Sequence, residues 1–233
     1  MSKQRFIVTS ALPYVNNVPH LGNIIGCVIS ADVYARFLRL NGEEVIYVCG
    51  TDEHGTATEN KAIEEGLTPK EICDKYHAIH AKVYEWFNIS FDYFGRTTSK
   101  IHAEITQDFF LKAEKNGYIS ESEIEQPFCS KCDKFLADRF VEGKCPYCNF
   151  ADARGDQCDN CGKLLNPTEL IDPKCKIHRI APEIKKSMHL FLDLEKLSPK
   201  LKSWTDSQSI NGFWPNNVKT FTKAWFKEGL KQR

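Results

Sequence analysis

The sequence predicts an α/β fold with a parallel sheet, followed by a metal-bound insertion, and three observations point that way. Over the first hundred residues, short apolar runs alternate with stretches of helical periodicity. The second run, Val45-Ile46-Tyr47-Val48-Cys49, is apolar throughout, as in a parallel strand buried on both faces. Seven of the ten cysteines then fall between Cys129 and Cys175, a crowding that ordinary core packing does not explain.

The elements follow in order. Phe6-Ile7-Val8-Thr9 is a β-branched run and the first predicted strand. After a Pro- and Asn-rich loop, a helix is predicted from about Gly22 to Leu40. Ile25, Ile29, Val33, Phe37 and Leu40 fall near one face of it, and Asn41-Gly42 ends it. The second strand is residues 45–49. Thr68-Pro69-Lys70-Glu71 opens the next helix, with Thr68 as N-cap, Pro69 at the first helical position and Glu71 completing a capping box. Ile72, Tyr76, Ile79, Val83 and Phe87 are its predicted buried face. Phe91-Asp92-Tyr93-Phe94 is the third strand. A helix follows from about Lys100 to Lys115, with Ile101, Ile105, Phe109 and Ala113 spaced by four. Beyond Tyr118 periodicity fades until about Arg179. A more regular segment, His189 to Leu194, comes next, and then a polar tail holding Trp204, Trp214 and Trp225.

Composition narrows the function classes. Lys+Arg and Asp+Glu both number 31 in 233 residues, so the formal net charge is zero. That excludes a nucleic-acid binder working through bulk charge, though not RNA binding by a local patch. The N-terminus has no signal-peptide core and the chain has no run of 18 apolar residues, so no membrane span and a cytoplasmic location are expected. In that compartment the cysteines are expected to be thiols or metal ligands, not disulfides.

Cys129-x2-Cys132, Cys145-x2-Cys148, Cys158-x2-Cys161 and Cys175-x2-His178 form four ligand pairs. A two-residue gap lets two side chains converge on one tetrahedral ion from a tight turn. Eight ligands make two closed, four-coordinate sites, which are structural, and regular spacing with a histidine favours zinc over an iron–sulfur cluster. Spacing alone permits consecutive pairs to share an ion, and His178 is the least certain of the eight. Cys27, Cys49 and Cys73 lie on predicted helices and strands and read as small core residues.

The loop Pro13 to Asn23 joins the first strand to the first helix. In a parallel sheet that junction lies at the carboxyl ends of the strands, where ligands bind. Helix-start amides favour an anion there. His20 and Asn23 would sit one turn apart, and Gly22 would allow a close backbone approach. A tight turn with an exposed histidine is the plain alternative.

Thr9-Ser10-Ala11-Leu12-Pro13-Tyr14 through His20-Leu21-Gly22-Asn23 resembles the signature of class I aminoacyl-tRNA synthetases, with Asn23 where the class usually has histidine. The Ala-Leu-Pro-Tyr lead-in is similar to the methionyl-tRNA synthetases. So are Cys49-Gly50-Thr51-Asp52-Glu53-His54-Gly55, Asp74-Lys75-Tyr76-His77, Phe87 to Asp92 and Phe94-Gly95-Arg96-Thr97. The resemblance runs nearly the whole chain.

It implies the N-terminal half of a Rossmann-like catalytic domain over residues 1–98. A connective-peptide insertion would fill 99–233, with zinc knuckles at about 126–180. The implied activity is ATP-dependent activation of methionine and its transfer to tRNA(Met), with magnesium accompanying ATP. By position, His20, Gly22 and Asn23 would meet ATP, with His20 and Asn23 acting in the transition state. Asp52 would hold the methionine ammonium, and Leu12 and Tyr14 would line the thioether pocket. Asp52 as a helix cap and Tyr14 as plain core are the structural alternatives. For the metals the resemblance suggests nesting: Cys145, Cys148, Cys158 and Cys161 on one ion, and Cys129, Cys132, Cys175 and His178 on the other.

Lys174, Lys176, Arg179, Lys185 and Lys186 are either an RNA-facing patch or a solvated surface. The family's second half-fold, its lysine-rich loop and its anticodon-binding domain have no counterpart before Arg233. The chain alone is therefore expected to be inactive. Membership of a multi-synthetase complex is a further implied partner relation. The competing readings are a non-catalytic zinc-ribbon binding module on an inherited fold, and a synthetase of the leucine, isoleucine or valine group.

Overall fold

A computed structural model describes residues 4–212 and 214–232. The chain divides into two compact units, one ending at Thr106 and one beginning at Gln107.

The first unit is built on a parallel sheet in the order β1-β2-β3, of strands Arg5–Thr9, Glu44–Thr51 and Tyr93–Arg96. β2 extends past the predicted run at both ends. β3 begins two residues later than expected, because Asp92 is used to hold β2: its carboxylate accepts from the Tyr47 amide at 2.6 Å and from Arg39 at 2.7 Å.

The crossover from β1 to β2 is one continuous helical stretch. It runs from α1 (Leu21–Asn23) through a π-helical turn (Ile24–Ile29) into α2 (Ser30–Leu40). Its buried face is Ile24, Val28, Asp32, Ala35 and Leu38, while Ile25, Val33, Phe37 and Leu40 are exposed. The apolar stripe read from the sequence is thus not the face turned to the sheet. The wider π turn shifts the phase of the helix, and a charged residue, Asp32, takes a buried position. Asp32 is satisfied there by the Ser90 amide at 2.7 Å, the Ser90 hydroxyl at 2.5 Å and Arg36 at 2.6 Å. Burial alone would raise its pKa; these donors outweigh burial and hold the carboxyl below its usual range. Residues 21–40 are also long and apolar enough to cross a membrane by length and composition. Here they serve as a crossover helix, and the Tyr47 hydroxyl of β2 donates to the Val28 carbonyl at 2.9 Å.

The crossover from β2 to β3 carries two helices, α3 (Thr56–Glu65) and α4 (Pro69–Trp86). The Thr68–Glu71 capping box forms as expected, with Pro69 inside the first turn. The buried face of α4 is Ile72, Cys73, Tyr76, His80 and Tyr84. Ile79 and Val83 are only half-buried and Phe87 is exposed, so the predicted face is rotated. The rings of Tyr84, Phe91 and Phe94 pack edge-on and stacked against one another, which draws Tyr84 inward. Helix α5 (Lys100–Lys115) buries none of its residues, so Ile101, Ile105 and Phe109 are exposed as well.

The second unit is antiparallel. β4 (Ile119–Cys129) pairs along its length with β9 (Glu183–Leu192), and short β5 (Lys134–Phe135) borders β4. A second small sheet has the order β7-β6-β8, with strands Ala153–Arg154, Val141–Lys144 and Ile171–Cys175. Two helices close the unit, α6 (Leu194–Asn211) and α7 (Asn216–Glu228).

Candidate functional site

Two constellations are assembled, one at the carboxyl edge of the parallel sheet and one in the cysteine region.

At the sheet edge, the loop after β1 is laced to the segment after β2. The Asp52 amide donates to the Pro13 carbonyl at 2.9 Å, and the Val15 amide donates to the Asp52 carbonyl at 3.4 Å. Tyr14 and Asp52 consequently form a parallel bridge beyond the end of β2. Val15 is fully buried among Ala62, Ile72, Cys73 and Tyr76, so the loop is anchored by apolar packing as well. His80 adds a tether, its Nε2 lying 2.8 Å from the Asn17 carbonyl. A carbonyl only accepts, so this nitrogen carries the proton. Burial lowers the pKa of His80, which favours the neutral ring.

The loop ends in a reciprocal cap. The Asn23 amide donates to His20 Nδ1, and the His20 amide donates to Asn23 Oδ1, both at 3.3 Å. This arrangement fixes the chemistry of both side chains. With Nδ1 accepting, the neutral His20 ring bears its proton on Nε2, which has no partner among the described residues. With Oδ1 accepting, the Asn23 side-chain NH2 remains a donor. Both residues therefore present N–H donors, His20 from an exposed position and Asn23 from a half-buried one. Gly22 leaves room for this: a Cβ there would lie 3.0 Å from His20 Cε1 and crowd the ring. The close neighbour that Gly22 admits is the His20 ring.

Beside the loop a cavity of about 280 Å³ opens over the sheet, with Leu12, Ser10, Val48, Gly50, Gly95 and Ile105 among its walls. Leu12 lines this cavity; Tyr14, His20, Asn23 and Asp52 do not. Tyr14 is about half exposed, so the alternative of a core tyrosine is excluded. Asp52 precedes α3, but the N-cap of that helix is Gly55, so Asp52 is not a cap.

Sequence reasoning missed the residues that hold Asp52's neighbours. Glu53 has a fully buried side chain that pairs with Arg96 at 2.7 Å and accepts from Thr51 at 3.0 Å. Thr98 also donates to it. Arg96 reaches Asp74 at 2.7 Å, and the Thr51 hydroxyl meets His77 Nδ1 at 2.9 Å. Hydrogen bonds from Lys70 and Arg96 keep the Asp74 carboxyl below its usual range, and burial lowers His77. An acidic residue directly after Asp52 and an arginine closing β3 were visible signals, but only the topology pairs them.

In the cysteine region the ligand atoms gather into two groups, Cys129/Cys132/Cys175/His178 and Cys145/Cys148/Cys158/Cys161, each within 4.8 Å of one another. The grouping is nested, not consecutive. A zinc ion bound at about 2.3 Å by tetrahedral thiolates places sulfurs about 3.8 Å apart. The observed Sγ–Sγ separations are 3.7 Å for Cys132–Cys175, 3.9 Å for Cys145–Cys161 and 3.5 Å for Cys148–Cys158. His178 turns Nδ1 into the outer group, 3.8 Å from Cys129 and 3.1 Å from Cys132. The donor sets fit zinc: one all-cysteine, the other three cysteines and a histidine.

The four turns share one backbone design. The residue after each second ligand has positive φ: Asp133 (50°), Asn149 (60°), Gly162 (71°) and Arg179 (56°). In three of them that residue's amide donates to the carbonyl of the first ligand, at 2.8 to 3.0 Å. Asp, Asn and Gly tolerate the left-handed region, whereas Arg does so rarely. Arg179 takes it with its amide donating to the Cys175 carbonyl at 2.8 Å, and its side chain pairs with Glu142. The fourth turn, with its histidine, is therefore a full knuckle. Three of the five basic residues of the candidate RNA patch are ion-paired within the chain, Arg179 with Glu142, Lys185 with Glu183 and Lys186 with Glu123.

The parallel sheet with its strand–helix loop, and the knuckles, are what the resemblance to a class I tRNA synthetase implied. The chain belongs to the family described as tRNA synthetases class I (M), whose family model matches residues 6–233. It is 59% identical over 233 residues to a probable methionine–tRNA ligase of Oryza sativa subsp. japonica, covering 99% of this chain and 29% of the relative. It is 57% identical to the cytoplasmic methionine–tRNA ligase of Homo sapiens, covering 99% of this chain and 26% of that one. Against the cytoplasmic enzyme of Saccharomyces cerevisiae the identity is 54%, covering all of this chain and 31% of the relative. The chain thus spans about three tenths of the length of these curated relatives. In fold it is similar to Mycobacterium tuberculosis methionyl-tRNA synthetase solved with methionyl-adenylate. The TM-score is 0.70 at 21% identity, covering 98% of this chain and 40% of that one.

Proposed function

We propose that this chain is the first catalytic portion of a cytoplasmic methionine–tRNA ligase. That enzyme uses ATP with magnesium to activate methionine and charges tRNA(Met). In the reaction the methionine carboxylate attacks the α-phosphate and pyrophosphate leaves. No protein nucleophile is needed, so the side chains act by positioning and by stabilising charge on phosphoryl oxygens. His20 Nε2 and the Asn23 NH2 are the donors for those oxygens, with Gly22 giving His20 its place. The Asp52 carboxylate takes the methionine ammonium by a charge-assisted hydrogen bond. Leu12 and Tyr14 take the side chain. Residues 1–98 form the first half of the catalytic domain, and 99–233 the connective insertion. Within the insertion the two ligand groups hold two structural zinc ions, which contribute folding energy and no chemistry. Assembly with other synthetases is a separate partner relation, read out by co-purification of the full-length protein.

The observation that carries this reading is the pair of backbone hydrogen bonds lacing residues 13–15 to Asp52. They tie the start of the loop after β1 to Asp52 at one edge of the sheet, which supports a shared site. The test is ATP–pyrophosphate exchange by the full-length protein with methionine, leucine, isoleucine and valine in turn. Exchange with methionine alone, lost in His20→Ala, supports the reading. Absence of exchange favours the non-catalytic zinc module, and exchange unaffected by His20→Ala overturns the role given to His20.

A further inference from the structure

We propose that Glu53 and Arg96 form a positioning pair that aims the Asp52 carboxylate. The inference rests on the reading of Asp52 given above and deepens it.

The Glu53 side chain is wholly removed from solvent. A buried ion pair stabilises little relative to apolar packing of the same volume, because desolvation offsets most of the attraction. Stability alone thus gives weak reason to place a carboxylate there, and the geometry supplies a better one. Glu53 Oε1 accepts from Arg96 at 2.7 Å and Thr51 at 3.0 Å, and Oε2 accepts from Thr98. The Glu53 amide donates to the Thr97 hydroxyl at 2.9 Å. The Thr51 hydroxyl is also held by His77 at 2.9 Å.

Both residues flanking Asp52 are therefore fixed through their side chains to the end of β3 and to α4. Asp52 itself is fixed through its backbone to residues 13 and 15. Its carboxylate is the one part of the segment with no partner among the described residues. A charged group held this way loses little freedom on binding a cation. Arg96 also neutralises Glu53, so that the adjacent carboxylate does not compete for the ammonium. The guanidinium spans Glu53 with Nε and Asp74 with Nη1, both at 2.7 Å. A lysine cannot reproduce that two-armed geometry.

The experiment measures methionine and ATP KM values in pyrophosphate exchange by the full-length protein, alongside the melting temperature. Variants are Glu53→Gln, Arg96→Lys and, as a reference, Asp52→Asn. Glu53→Gln keeps the shape and removes the charge. The expected result is a methionine KM raised about tenfold with ATP KM within about twofold, the signature of lost ground-state positioning. A purely structural role would lower the amount of active enzyme and leave both KM values in place. If Asp52→Asn raises the methionine KM and Glu53→Gln does not, the pair does not position Asp52. If Asp52→Asn itself has no effect, the Asp52 reading fails first and the pair falls with it. Should Glu53→Gln not fold, Arg96→Lys carries the test by the same KM split.

Discussion

The parallel-sheet unit and the cysteine region solve the problem of holding a chain together in different ways. In the first, Tyr47, Ile72 and Tyr84 are buried to within 1% of full exclusion, and buried polar groups such as Asp32 and Glu53 are each met by several donors. In the second, the buried cluster has nine members and four of them are cysteines that point at ligand groups. Apolar burial carries the sheet; in the knuckles four of the nine buried side chains belong to groups that could hold metal. The contrast teaches where each unit is vulnerable.

The largest expected effect follows from removing a ligand. Structural zinc supplies on the order of 10 kcal/mol of folding free energy. Cys145→Ser should therefore unfold the inner knuckles around residues 145–161 while leaving the parallel sheet folded, as read by residue-resolved hydrogen exchange and by loss of one zinc. The converse variant is Ile72→Ala, which opens a cavity under the donor loop. It should destabilise the sheet unit by about 2–5 kcal/mol and leave the zinc content unchanged. Gly162→Ala tests the knuckle backbone alone, because its φ is 71° and a Cβ there meets nothing within 4 Å. Strain of about 1 kcal/mol is expected, seen as faster zinc loss to a chelator.

The smallest effect is electrostatic. Hydrogen bonds from Lys75 and Tyr76 push Glu65 down to about 2, from an ordinary value of 4.5. Its contribution is therefore complete above about pH 4.5 and is lost as the pH falls toward 2. The group is near the surface, so the effect should be weak and shrink further with salt. The pH dependence of the melting temperature, wild type against Glu65→Gln, measures it.

What the sequence made legible follows the same division. The four ligand pairs could be read because metal geometry demands fixed spacing. The left-handed backbone of Arg179 could not be read, since arginine rarely takes that region. The capping box at Thr68 was legible because it is local. The buried faces of the two crossover helices were not. A π turn shifted the first, and in the second His80 and Tyr84 went inward because of ring packing and a hydrogen bond to Asn17. The antiparallel β4–β9 ladder joins residues about sixty apart, beyond any local pattern. The Glu53–Arg96 pair was hidden for the same reason: its members are near in space only because β2 and β3 are neighbours.

Hydrogen exchange of the chain before and after zinc chelation, with zinc counted by elemental analysis, tests the division most directly. Two ions per chain are predicted, and chelation should release protection in the knuckle turns while amides of β1, β2 and β3 stay protected. Fewer than one ion per chain, or knuckle amides equally protected after chelation, would contradict it.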